Sequence, residues 1–212
     1  MKGRFMNGFT KITGVIPQAL IFRTKVYYED KKSQSRKIKG PAIVVSNHTA
    51  LWDFAVLLFV FFSRTVRYQM AEVLFRKKGP LPLFLRSLGG IFVDRDAKNF
   101  SFIEETEETL SKGGVVGIFP ESRLPKKGEE RPLPFKPSAA YTAMHTGVQV
   151  IPVFTNGKYF SLKRARVIIG TPMYAADYKA GEDEKQNVEA FNEALRQKII
   201  ALGEELDARQ AK

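Results

Sequence analysis

The chain has 212 residues, of which 44% are hydrophobic and 17 are Phe, a length and composition that predict one folded domain and exclude a disordered or collagen-like chain. The formal net charge of +12 indicates a polyanionic partner, either nucleic acid or an anionic membrane surface. The absence of Cys excludes disulfides and thiolate sites, and two His residues are too few for a conventional structural zinc site, so we predict no bound metal.

The first predicted element is an amphipathic helix within residues 1–40. This segment contains ten Lys and Arg residues and only two acidic residues, Glu29 and Asp30. Apolar residues recur there at steps of three and four, a pattern typical of helices that lie in a membrane interface: Phe5, Met6, Phe9, Ile12, Ile16, Leu20 and Ile21. Pro17 predicts a kink or a split into two short helices. We predict that residues 1–40 associate with a membrane, the alternative being a solvated charged face. No small-residue cleavage site follows the apolar run, which argues against a secretion signal.

Residues 41–212 alternate short apolar runs with Pro and Gly, which predicts a single α/β domain with a largely parallel or mixed sheet flanked by helices. Six runs predict strands: 42–46, 66–70, 91–93, 115–119, 150–154 and 166–170. Four segments predict helices: 54–62, 100–111, 138–146 and 188–206. The apolar run 54–62 is far shorter than the ~20 residues that cross a bilayer. Residues 77–85 mix basic and apolar blocks and predict a loop that dips into a membrane or covers the core.

A polar cluster containing Asn47, His48 and Asp53 stands where a buried strand ends and an apolar helix begins. Sites form at this edge of parallel α/β sheets. A His and an Asp five residues apart meet only if the His lies in the turn and the Asp in the first helical turn. Asp53 then accepts the proton of one imidazole nitrogen and leaves the other as a base toward a hydroxyl. Capping of the helix is the alternative role of Asp53.

Three further predicted strand ends carry polar or Pro residues: Gly90 to Arg95 (GIFVDR), Phe119 to Arg123 (FPESR) and Ile151 to Val153 (IPV). Because the carboxyl ends of parallel strands meet at one edge of a sheet, we expect these segments to converge near His48. The sequence contains no G-x-S-x-G elbow, P-loop or dinucleotide fingerprint, which disfavours a serine hydrolase and a nucleotide site.

In this order and spacing the four segments resemble the glycerolphosphate acyltransferases of the 1-acylglycerol-3-phosphate (lysophosphatidic acid) acyltransferase type. Asn47, His48 and Asp53 match the N-H-x-x-x-x-D block of that family. The F-P-E-G-x-R block is met by FPESR, with Ser122 in place of Gly and Arg123 two residues after Glu121 rather than three. The resemblance runs from about residue 41 to residue 170.

The resemblance implies an enzyme that moves a fatty acyl group from acyl-CoA or acyl carrier protein to the hydroxyl of 1-acylglycerol-3-phosphate. The product is phosphatidic acid, in phospholipid biosynthesis, and no cofactor is expected besides the acyl donor. The implied site comprises His48 as base, Asp53 as the residue that orients its ring, Arg95 as a forked ligand of the acceptor phosphate, and Asn47, Glu121, Ser122 and Arg123 as further substrate-binding residues.

The implied partners are an anionic membrane surface, the acyl donor and a lysophospholipid acceptor, with no nucleic acid. The implied location is the cytoplasmic face of a membrane, as a peripheral or monotopic protein. One alternative changes the acceptor to another lysophospholipid or glycerol 3-phosphate. A second alternative is a non-catalytic basic protein that binds a membrane or nucleic acid, which the lack of interleaved aromatic and basic residues disfavours.

Overall fold

A computed structural model gives the fold for residues 3–76, 78–94, 100–126, 128–129, 131–160, 164–179 and 181–211. The helices are α1 (Arg4–Phe22), α2 (Asp53–Val60), α3 (Glu72–Phe75), α4 (Leu81–Ser87), α5 (Ser101–Ser111), α6 (Ser138–Thr146) and α7 (Glu184–Ala211), with a 3-10 turn at Ala175–Tyr178. The strands are β1 (Lys25–Tyr28), β2 (Ala42–Ser46), β3 (Val66–Ala71), β4 (Ile91–Val93), β5 (Val115–Ile118), β6 (Gln149–Thr155) and β7 (Arg166–Ile169).

The strands of the described residues form one mixed sheet in the order β1-β7-β6-β2-β5-β3-β4. The β6–β7 pair is antiparallel and the other neighbouring pairs are parallel. At the centre of the sheet, Ala42 of β2 lies opposite Val115 of β5 and Gln149 of β6. The carboxyl ends of these three strands therefore meet at one edge, where the polar segments of the sequence follow them.

Side chains of β2 alternate between two apolar layers. Ala42 and Val44 belong to a buried cluster with α2, α3 and α4 on one side of the sheet. Ile43 and Val45 belong to a second cluster with α5, α6 and α7 on the other side. Each fully buried aliphatic or aromatic side chain contributes about 1.5–3 kcal/mol, so the two layers hold the central strands rigidly in place.

The α/β class, the mixed sheet, the six predicted strands and the four predicted helices are confirmed, with boundaries that differ by at most five residues. Strand β1 was not predicted. It lies inside the segment 1–40 and joins the sheet edge, with Lys25 opposite Arg166 of β7.

The split of the first helix at Pro17 is wrong, because α1 runs without interruption from Arg4 to Phe22. Lys11 before Pro17 and Phe22 after it are both buried against the rest of the protein, and these contacts hold the helix on both sides of the proline. The loop predicted for 77–85 is also wrong for its second half, where α4 begins at Leu81 and buries Leu85. Among the described helices, none is both long and apolar enough to cross a membrane.

Candidate active site

A hydrogen-bonded His–Asp pair lies between the end of β2 and the start of α2. The Nδ1 atom of His48 is 2.9 Å from Oδ2 of Asp53, whose side chain is fully buried. The same Oδ2 accepts the backbone N–H groups of Thr49 at 2.6 Å and Ala50 at 2.8 Å. Oδ1 accepts the hydroxyls of Thr49 at 2.8 Å and Tyr159 at 2.5 Å. Five donors thus hold one buried carboxylate in a fixed position.

The ring of His48 is held on its face as well as at its edge. The ring of Phe119, which follows β5, stacks on it with centroids 4.5 Å apart and an angle of 23° between planes. Since Nδ1 donates to Asp53, the neutral imidazole carries its lone pair on Nε2. This nitrogen has no hydrogen-bond partner among the described residues, and 18% of the side chain is exposed. The arrangement therefore presents one basic nitrogen to an incoming hydroxyl.

Glu121 joins the loops that follow β2 and β5. Its Oε1 accepts the backbone N–H of His48 at 2.6 Å, and its Oε2 accepts that of Leu133 at 2.8 Å. Burial raises the pKa of Glu121, and the two amides and His48 partly offset this increase while the charge of Asp53 adds to it. Within the described part of the chain Glu121 bonds backbone amides, so its first effect is to position the backbone of His48.

Asn47 performs the same task on the other side of β2. Its Nδ2 donates to the carbonyl of Thr155 at 2.9 Å, and its Oδ1 accepts the N–H of Thr155 at 2.8 Å. The hydroxyl of Thr155 lies 2.9 Å from that of Tyr159. Asn47 thereby fixes the end of β6, from which the chain returns to place Tyr159 on Asp53.

Ser122 and Arg123 directly follow Glu121 in the loop after β5. Ser122 has φ of 57°, a left-handed conformation that favours glycine and costs a non-glycine residue about 1–2 kcal/mol. Arg123 forms a two-pronged ion pair with Glu129 at 2.7 and 2.9 Å, and its guanidinium lowers the pKa of Glu129 to about 2. Arg95, the expected phosphate ligand, lies outside the described residues.

The sequence predicted Asn47, His48, Asp53 and Glu121 as site residues, and the structure places them around the end of β2. The sequence did not predict the contacts of Thr49 and Tyr159 with Asp53. Burial and the charge of Asp53 raise the pKa of Tyr159, so its hydroxyl remains a donor. Tyr159 follows the end of β6 by four residues, and this position beyond a strand end is the one available signal. Across the described residues, no three His, Asp or Glu side chains come close enough to hold a metal ion.

Comparisons with known proteins identify the family and the fold of this chain. A sequence model of the family described as Acyltransferase matches residues 23–156, which include the His48–Asp53 pair and Glu121. Human 1-acyl-sn-glycerol-3-phosphate acyltransferase beta is 29% identical over 137 residues, 62% of this chain and 48% of the human protein. The chain thus spans about half the length of that relative.

The crystal structure of the 1-acyl-sn-glycerophosphate (LPA) acyltransferase PlsC from Thermotoga maritima is similar in fold. The TM-score is 0.69 at 23% sequence identity, and the match covers 97% of this chain and 79% of the bacterial one. At this coverage the match includes most of α1, which lies before the first residue of the family match.

Proposed function

The chain belongs to the acyltransferase family, and on this premise we propose that it transfers a fatty acyl group from a thioester donor to the free hydroxyl of 1-acylglycerol-3-phosphate, forming phosphatidic acid. The donor is acyl-CoA or acyl carrier protein. The observation that carries the proposal is the His48–Asp53 pair, whose Nε2 is free of partners in the described residues. The relative named for this acceptor supports the choice of substrate.

The chemistry requires a base, which the pair supplies. His48 takes the proton of the acceptor hydroxyl through Nε2 while the hydroxyl oxygen attacks the thioester carbonyl carbon. A carbon–oxygen bond forms, and collapse of the tetrahedral intermediate breaks the carbon–sulfur bond. The thiolate leaves with the electron pair of that bond and receives the proton from the imidazolium. Asp53 stabilises the imidazolium through Nδ1–H, because its carboxylate is already held by Thr49, Ala50 and Tyr159.

The acceptor phosphate requires cations, and the sequence supplies candidates. We assign Arg95 to it from the sequence, because a guanidinium binds phosphate through two parallel hydrogen bonds. Ser122 and Arg123 remain candidates for further contacts, although Arg123 would have to leave Glu129 first. Asn47 and Glu121 act by fixing the loops around His48. No cofactor enters the step, since the donor thioester is already activated.

We extend the proposal to the cytoplasmic face of an anionic membrane, where the lipid acceptor resides. Helix α1 turns an apolar stripe away from the protein, and its residues are between 55% and 84% exposed: Phe5, Phe9, Ile12, Ile16 and Leu20. Ten Lys and Arg residues lie in the same first 40 residues. Apolar burial and attraction to anionic lipid together favour an interfacial helix.

The test is an assay of the purified protein with acyl-CoA and acyl carrier protein donors against a panel of lysophospholipids and glycerol 3-phosphate. We expect acyl transfer to 1-acylglycerol-3-phosphate, and His48→Ala should lower turnover by about 100- to 10,000-fold with the fold intact. His145→Ala is the matched control, since His145 is the other histidine of the chain and lies on the surface against Glu184.

Near-normal turnover of His48→Ala at saturating substrate would refute the base assignment. Activity confined to another acceptor would keep the chemistry and correct the substrate. Absence of transfer with every donor and acceptor would favour a basic protein that binds membranes without catalysis.

A further inference from the structure

A cavity of about 390 Å³ lies at the carboxyl end of α1, and neither His48 nor Asp53 is among the residues that line it. The end of α1, the turn before β1 and the segment before β7 form its walls: Gln18, Ala19, Leu20, Arg23, Thr24 and Arg164. Its volume falls within the range of small-ligand sites. Backbone hydrogen bonds from Ala165 to Phe22 at 3.1 Å and from Lys25 to Ala165 at 2.9 Å hold these distant segments together.

Apolar and polar residues both line this cavity, and its charged residues are basic. Arg23 and Arg164 both line it, and neither has a carboxylate partner among the described residues. The lining residues that the structure describes include no acid. Thr24 Oγ1 and Gln18 Oε1 are shielded from solvent without a hydrogen-bond partner in the described chain. Since shielded polar atoms are ordinarily paired, these atoms favour a polar ligand that accepts from Thr24 Oγ1 and offers an O–H, such as that of a singly protonated phosphate, to Gln18 Oε1.

The charge balance of the cavity favours an anion. The carboxyl end of a helix carries about half a negative charge, which alone would repel one. Two guanidinium groups carry two full positive charges and outweigh that partial charge. Each guanidinium presents paired N–H donors that fit the oxygens of a phosphate, and the hydroxyl of Thr24 adds a further donor.

We propose that this cavity binds a phosphomonoester, carried by a lipid headgroup or free in solution, at a site separate from the catalytic pair. Leu20 lines the cavity and also belongs to the exposed stripe of α1, so a lipid held here by its phosphate lies beside that stripe. Trp52 and Phe160, both exposed, flank the same helix end through ring contacts with Phe22 at 6.2 and 5.3 Å. Exposed aromatic rings of this kind are typical of the membrane interface.

The experiment compares two double variants of the full chain that each remove two positive charges. Arg23→Gln with Arg164→Gln alters the cavity, and Lys112→Gln with Lys185→Gln alters exposed lysines directly after α5 and on α7. Binding to phosphatidylcholine vesicles with and without phosphatidic acid is one measurement. The other is the rise in melting temperature caused by inorganic phosphate at constant ionic strength.

We expect the cavity variant to lose about tenfold or more of its binding to vesicles that contain phosphatidic acid, and the control to lose less than about threefold. If the loss appears instead in the stabilisation by inorganic phosphate, the natural ligand is free phosphate. Equal losses in the two variants, or no loss in either measurement, would overturn the proposal. Neither outcome bears on acyl transfer, which the His48 variant tests.

Discussion

Two amphipathic helices with the same periodicity, α1 and α7, stand in opposite environments. Both carry apolar residues at steps of three and four. In α7 these residues pack on the sheet and are at most 7% exposed: Val188, Phe191, Leu195, Ile199, Leu202 and Leu206. In α1 the residues from Phe5 to Leu20 are mostly exposed, and the buried positions include polar Asn7 and Lys11.

The contrast teaches that periodicity locates a face of a helix but does not say what covers it. α1 packs its polar side inward, where Gly14 lies so close to Phe59 that an added Cβ would sit 2.7 Å from that ring. The inward side of α1 is therefore already occupied, and its apolar stripe is left for a partner outside the chain. For α7 the sheet itself is the partner, through Phe154 and the strands beside it.

The largest effect that separates the two helices concerns folding stability. Phe191→Ala on α7 should lower the free energy of unfolding by about 3–5 kcal/mol, because it opens a cavity in a fully buried layer. Phe9→Ala, the same change on the exposed face of α1, should alter it by less than about 0.5 kcal/mol. Urea unfolding of both variants measures the difference. A comparable cost for Phe9→Ala would mean that protein, such as a second copy of the chain, covers the stripe.

Vesicle binding should respond to Phe9→Ala more than to Phe191→Ala, the reverse of their effects on the free energy of unfolding. Phe9→Ala should weaken binding to anionic vesicles by about 10- to 100-fold, since burial of a Phe side chain contributes about 1.5–3 kcal/mol. Tyr174→Ala is the matched control, as an exposed aromatic residue outside α1. Cosedimentation at low and high salt measures both. Equal binding of the Phe9 variant and the wild-type protein would place the membrane contact elsewhere, for example at Leu83 of α4, which is 73% exposed.

Much of the sheet could be predicted because buried parallel strands read as short β-branched runs between Pro and Gly. Strand β1 escaped this reasoning because its four residues, KVYY, sit in a basic segment and are partly exposed at the sheet edge. Helix α4 escaped because Pro80 and Pro82 suggested a loop, although Pro is favoured in the first turn of a helix.

In the candidate site, too, contacts between residues close in the sequence were predictable and contacts between distant residues were not. The meeting of His48 and Asp53 was predictable, because five residues across a strand end and a helix start leave few alternatives. The contacts of Tyr159 with Asp53 and of Asn47 with Thr155 join residues more than 100 positions apart. They depend on how the chain returns after β6, and no local pattern of residue types encodes that path.

The smallest effect concerns Lys11, a buried residue that ties α1 to the rest of the protein. Its Nζ is buried and donates to the carbonyls of Phe61 at 3.0 Å, Phe62 at 3.1 Å and Arg64 at 2.5 Å, just after α2 ends. Lys11→Met should leave these carbonyls without their donor and destabilise the docking of α1 by about 1–3 kcal/mol. Faster amide exchange in residues 4–22 and a lower free energy of unfolding measure the loss. Lys185→Met, on the exposed side of α7, is the control and should change neither.

The pH dependence of the stability gives a second measurement of the Lys11 contact. Burial lowers the pKa of Lys11 from 10.5 to about 8. Between these values the unfolded chain still holds the proton that the folded chain has released, so the free energy of unfolding rises with pH. Below about pH 8 the cost of burying the charge is fully present. The wild-type protein should therefore gain stability relative to Lys11→Met from about pH 8 to about pH 10.5. A constant difference over that range would mean that Lys11 is exposed in solution and that α1 is not docked on α2. Helix α2 begins with Asp53 of the candidate site, so the docking of α1 bears on that site as well.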